Sequence, residues 1–166
     1  YYDINMKNKF EEYFNGLYIS DNKTPLANSY YILNFNFSGI DTEDKKSLLK
    51  DFTSKVIEAL DNFIERYQFD VNFNKTGKPA MILNSFLNAI EYNIDKEIYV
   101  LIDEYDHFAN ELLSFQVDTF EETVSKTGFV RKWYEVLKQG TQKGIVDRIF
   151  GTGVSPVTLD SLTSGF

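Results

Sequence analysis

The 166-residue chain contains no cysteine. That excludes a disulfide scaffold, thiol catalysis and a zinc site built on thiolates, and it fits a reducing compartment, so a cytoplasmic location is expected. No apolar run approaches the roughly 18–20 residues that span a bilayer. The opening residues are polar and acidic, unlike a signal peptide. Internal repeats and low-complexity segments are missing too. So is a phosphate-cradling loop of the form G-x-x-x-x-G-K-[ST]: no pair of the nine glycines has that spacing followed by Lys, and Gly77-Lys78 runs into Pro79 within a polar connector. These residues do not cradle an ATP triphosphate in the usual way.

What is present is globular. Hydrophobic residues make up 43% and charged residues 25%, which suits one domain with a real core. The bias toward Phe, Tyr, Asn, Lys and Ile reads as an AT-rich coding genome and carries no functional content. The formal net charge of -8 disfavours direct binding to nucleic acid or to an anionic membrane. One segment reverses that sign: Lys126, Arg131, Lys132, Lys138, Lys143 and Arg148 face only Glu135 and Asp147. It reads first as a solvated helix face, with a phosphate- or partner-facing patch as the alternative. The chain starts at Tyr1-Tyr2-Asp3 without an initiator Met and stops at Gly165-Phe166, so it is expected to be a piece of a longer protein.

The order of elements follows from periodicity. Tyr2, Met6, Phe10 and Phe14 recur every four residues and predict a helix face that Gly16 ends. Tyr30 to Ser38 reads as a strand. Asp41-Thr42-Glu43-Asp44 opens a long helix whose apolar positions, Leu48 through Tyr67, keep a 3.6-residue period. A second helix is predicted over about Ala80 to Tyr92. Glu97 to Glu104 contains five consecutive apolar residues, the pattern of a strand buried on both faces in a parallel sheet. Short helices are expected around Tyr105–Leu113 and Asp118–Lys126, then an amphipathic run from Phe129 to Lys138 closing at Gly140. Asp147 to Val154 is the last strand. Strands alternating with helices predict an α/β domain, a parallel sheet with flanking helices.

In such sheets ligands bind beyond the carboxyl ends of the strands. Asp103 and Glu104 end the most apolar strand, an arrangement that resembles a Walker B element. There the first acid holds hydrated Mg²⁺ and the second polarises the attacking water. Alternation along the strand lets the two side chains take separate tasks. Mg²⁺ needs only one or two carboxylates beside phosphate oxygens, and a neighbouring carboxylate can orient or deprotonate water. The plain alternative is a solvated first turn. Asp106 raises a further alternative, a local cation cluster with Asp103 and Glu104, and the single histidine, His107, is read as structural. Thr152 ends the last strand where a hydroxyl suits a sensor 1 role toward a γ-phosphate or its attacking water, with Ser155 a second candidate. Otherwise Thr152 is an ordinary β-branched strand residue.

Taken together, the segments resemble the bacterial AAA-ATPase-like family, P-loop proteins that often carry a nuclease-like domain further along the chain. The matching stretches are Lys9-Phe10-Glu11-Glu12-Tyr13-Phe14-Asn15-Gly16, Tyr31 through Ser38, Val100-Leu101-Ile102-Asp103-Glu104-Tyr105-Asp106, and Thr152-Gly153-Val154-Ser155-Pro156 through Phe166. The resemblance implies a P-loop NTPase-like three-layer core that uses ATP and Mg²⁺. In that family a Pro-Arg-Arg-Phe-Gly-Lys-type P-loop precedes the segment at which this chain begins. Asp103 matches the Mg²⁺-coordinating acid, Glu104 the catalytic glutamate, Thr152 the sensor 1 position, and Ser155 is a further nucleotide contact. The chain by itself is expected to be inactive for want of a P-loop. It also implies that the sensor strand lies between the P-loop strand and the Walker B strand, so an exposed strand edge is expected here. A non-catalytic protein-interaction module on an α/β scaffold is the alternative reading, and a metal-dependent phosphoesterase or nuclease is a third.

Overall fold

The computed structural model describes residues 1–106 and 128–153. Three strands, β1 (Tyr31–Asn36), β2 (Ile98–Asp103) and β3 (Val146–Gly151), form a parallel sheet in the order β1-β2-β3. The helices in chain order are a 3-10 turn at Ile4–Lys9, α1 (Phe10–Phe14), α2 (Tyr18–Asp21), α3 (Lys45–Tyr67), α4 (Pro79–Ile90) and α5 (Phe129–Gln142). The strands advance across the sheet in chain order. Right-handed crossovers of that kind deliver their helices to the same face, and α3, α4 and α5 share one core with it. Phe35 of β1 and Phe37 just beyond its end meet Trp133 of α5, Phe37 stacks on Phe52 of α3, and Phe63 of α3 meets Phe86 of α4.

The second face is half covered among the described residues. Ile98, Val100 and Ile102 are buried, whereas Tyr99 and Leu101 on the other side are only partly so. The apolar run predicted full burial on both sides, but here the aromatic N-terminal arm supplies the cover, with Tyr2 packing on Tyr99 at 5.2 Å between ring centroids. That arm also corrects the expected helix stripe. Tyr2 lies outside any helix, its carbonyl accepting from the Tyr30 amide, because the extended Asp3 bridges to Tyr30, and helical structure begins only after Asp3 caps it at Asn5.

The long helix starts at Lys45, just past the four-residue stretch expected to open it, so the acids precede the first turn. Asp44 accepts from the Lys46 and Ser47 amides and holds the first turn. Gly140 does not close α5, which runs on to Gln142. A Cβ at Gly140 would sit 3.2 Å from both Leu87 Cδ1 and Val146 Cγ2, so glycine there serves close packing of α5 on α4 and β3. The stop comes at Gly144, whose φ of 73° is left-handed. The helix expected at Asp118–Lys126 lies outside the described residues, as does the one at Tyr105–Leu113 beyond Asp106; Tyr105 and Asp106 form a turn.

The outer edge of β1 is closed by a side chain. The Ile32 amide donates to Tyr67 Oη at 2.8 Å, and Tyr67 in turn donates to the buried Asp3, which also pairs with Arg66. Burial, then the adjacent Asp3, push the Tyr67 phenol up to about 12, while burial and Asp95 do the same for Tyr31. A raised phenol favours the folded state fully below the ordinary value of 10.0 and loses that contribution as pH climbs from there to about 12. Urea midpoints should therefore hold up to about pH 10 and fall steeply above it. Tyr67→Phe should be less stable at neutral pH, by about 1 kcal/mol for the lost hydroxyl bonds, yet show a shallower alkaline decline. Parallel pH profiles of the two proteins would contradict this assignment.

Candidate functional site

Side chains alternate along β2, so Asp103 shares the half-covered face with Tyr99 and Leu101. It lies at the carboxyl edge of the middle strand and is exposed. Asn36 of β1 is its register partner on one side. On the other side Ile102 pairs with Gly151, which brings Thr152 alongside Asp103. The Thr152 hydroxyl donates to Asp103 Oδ1 at 2.6 Å. The Thr152 amide donates to the Ile102 carbonyl at 2.8 Å, and the Tyr105 amide donates to the Thr152 carbonyl at 3.1 Å. Two residues from distant parts of the sequence thus meet at one sheet edge.

Glu104 leaves the strand by another route. Its φ is 52°, in the left-handed region, and its side chain is partly buried. Such a conformation costs an L-residue roughly 1–2 kcal/mol and suits Gly or Asn better. The turn redirects the chain so that Glu104 and Asp103 do not share one direction. Next to it Asp106 is fully buried. Among the described residues no three acids or histidines come together in a way that holds a metal ion, so Asp103, Glu104 and Asp106 do not form the three-acid cluster of a metal-dependent nuclease.

Ser155 and His107 lie outside the described residues. Arg131 pairs with Glu135 one turn along α5, and Lys143 reaches Asn88. Arg148 bonds Asp147 and Tyr30 and stands opposite Tyr99, toward the amino end of β3 and away from the acids. Lys126 lies outside the described residues; of the other basic residues Arg131, Lys132 and Lys138 lie on α5, Lys143 follows its end and Arg148 is on β3, a dispersed arrangement. Two residues escaped the sequence reading: Asn36, beside Asp103, and Asn34, which lines a depression of about 290 Å³ with Leu101, Ile102, Asp103, Phe150 and Thr152. Their signal was the alternation of Asn34 and Asn36 with Leu33, Phe35 and Phe37.

The sequence pattern described as "Predicted AAA-ATPase" matches residues 1–163. The chain belongs to the AAA-ATPase-like family. No curated protein and no solved structure matches it. For an AAA-ATPase-like chain the parallel α/β sheet is the expected core, and the family name points to nucleotide and metal use. The donor set fits part of such a site. One exposed carboxylate with a hydroxyl beside it at an open edge is what Mg²⁺ accepts from a protein. The depression beside Asp103 and Thr152, at about 290 Å³, is smaller than the roughly 300–1,000 Å³ that ligand pockets occupy. No described helix is long and apolar enough to cross a membrane.

Proposed function

We propose that residues 1–166 are the Walker B and sensor 1 portion of an ATP-hydrolysing domain. The observation that carries this reading is the hydrogen bond between Thr152 and Asp103 at the carboxyl edge of the central strand, with Glu104 one residue on. Bound Mg²⁺ supplies charge neutralisation for the phosphates. Asp103 would hold such an ion through its one exposed carboxylate. Thr152 orients that carboxylate through its own hydroxyl. Glu104 holds and accepts a proton from the nucleophilic water at its carboxylate oxygen, a general-base role. The left-handed backbone at Glu104 supports this reading, because strained positions that keep a reactive side chain cluster at functional sites.

The triphosphate cradle belongs to a P-loop upstream of Tyr1, and the edge of β3, which has no second strand neighbour among the described residues, is where its strand would pair. A nuclease-like domain in the same polypeptide is part of the same proposal. Calorimetry with Mg²⁺-ATP tests it on this chain and on one extended upstream by about 40 residues, the length of a strand, loop and helix. Binding is expected for the extended chain alone. Failure of both to bind would leave the sheet as the scaffold of a protein-interaction module.

A further inference from the structure

Gly153 follows Thr152, and its backbone rests on two side chains of the turn after β2. A Cβ placed there would lie 2.5 Å from Tyr105 Cε1 and 2.7 Å from Asp106 Cγ, and nearer still to Asp106 Oδ1. Its φ is not among the left-handed values, which belong to Gly16, Gly39, Gly77 and Gly144. Glycine is therefore required at 153 for room and not for backbone freedom. The surface it rests on is firm: Asp106 has no exposure and Tyr105 has 8%. Close-packed interiors transmit such contacts with little give. Tyr134, also buried, neighbours them, its hydroxyl pushed up by burial and then by Tyr105 and Asp106.

We propose that Asp106 and Gly153 are positioning residues for the candidate site, the buried Asp106 carboxyl setting how closely the end of β3 approaches β2. The contact fixes Thr152 between the Ile102 carbonyl and the Tyr105 amide, and so holds its hydroxyl on Asp103. Neither residue touches the reacting atoms in this scheme. This inference rests on the reading of Asp103 and Glu104 as the hydrolytic acids.

Gly153→Ala in the complete protein tests it by amide hydrogen exchange and by ATP turnover. Exchange at the Tyr105 and Thr152 amides should rise roughly tenfold or more, with Val100 in the middle of β2 unchanged. The turnover number should fall about tenfold while KM for ATP moves less than about twofold, the signature of misplaced groups. Asp106→Ala removes the supporting wall without inserting a clash, and should shift the same two amides if Gly153→Ala fails to fold. Unchanged exchange at Thr152 in the variant that folds would overturn the proposal, as would faster exchange with full turnover. Glu104→Gln, measured alongside, separates the two failures. If it hydrolyses ATP at the wild-type rate, the assignment of the acids is wrong, and Thr152 exchange alone decides whether Asp106 and Gly153 hold that strand end.

Discussion

If the proposed function holds, Glu104→Gln is expected to lower ATP turnover about 10²–10⁴-fold in the complete protein, the range that a positioned general base contributes, and to leave Mg²⁺-ATP binding in place. The amide keeps the shape and most of the contacts of the carboxylate but holds no proton from water at neutral pH. Asp103 shares the half-covered face of the sheet and Glu104 follows it in a left-handed turn, so loss of the second acid is expected to leave the Thr152–Asp103 bond in place. Asp103→Ala should show the opposite balance. It removes the carboxylate offered to the ion and the acceptor of the Thr152 hydroxyl, so Mg²⁺-dependent affinity falls together with turnover. Steady-state hydrolysis and calorimetry on both variants check the pair. A Glu104→Gln protein that hydrolyses ATP as the wild type does would remove the hydrolytic reading.

Trp133→Ala carries the largest expected stability loss, about 3–5 kcal/mol from a total that for such domains is about 5–15 kcal/mol. The indole has no exposure and sits where β1, α3 and α5 converge, 4.8 Å from Phe35, 5.5 Å from Phe37 and 5.6 Å from Phe52 between ring centroids. Truncation leaves a cavity bounded by rings on three elements, which cannot collapse together. Trp133→Phe should cost much less, about 1–2 kcal/mol. It loses ring area but also removes the buried Nε1–H, which has no hydrogen-bond partner among the described residues. Chemical denaturation of the two variants distinguishes these values. Equal losses would mean that the indole nitrogen is satisfied in solution, and a negligible loss for Trp133→Ala would mean that the core is built differently.

Much of this architecture was legible in the residues. The three strands, the start of α3 at Asp44 and the extent of α4 follow from local period and capping chemistry, which each segment carries within itself. The position of Asp103 and Glu104 at a strand end was legible for the same reason, since an apolar run that breaks into acids marks where a chain leaves the core. The glycines were harder. Gly140 reads as a helix stop, yet it serves close packing and the stop falls at Gly144, because a glycine pattern does not reveal whether room or a left-handed φ is needed.

Chain direction and periodicity thus settled the α/β class, the order of the elements and the acids at the middle strand's edge. They assign each side chain to a face of its own element and stop there. Packing chose the rest: the register that sets Thr152 beside Asp103, the place of Asn34 and Asn36 in the same row, the burial of Asp106 and its contact with Gly153. Register between strands far apart in sequence is fixed by how α3, α4 and α5 seat their side chains on the sheet, a balance of many contacts that no single segment encodes.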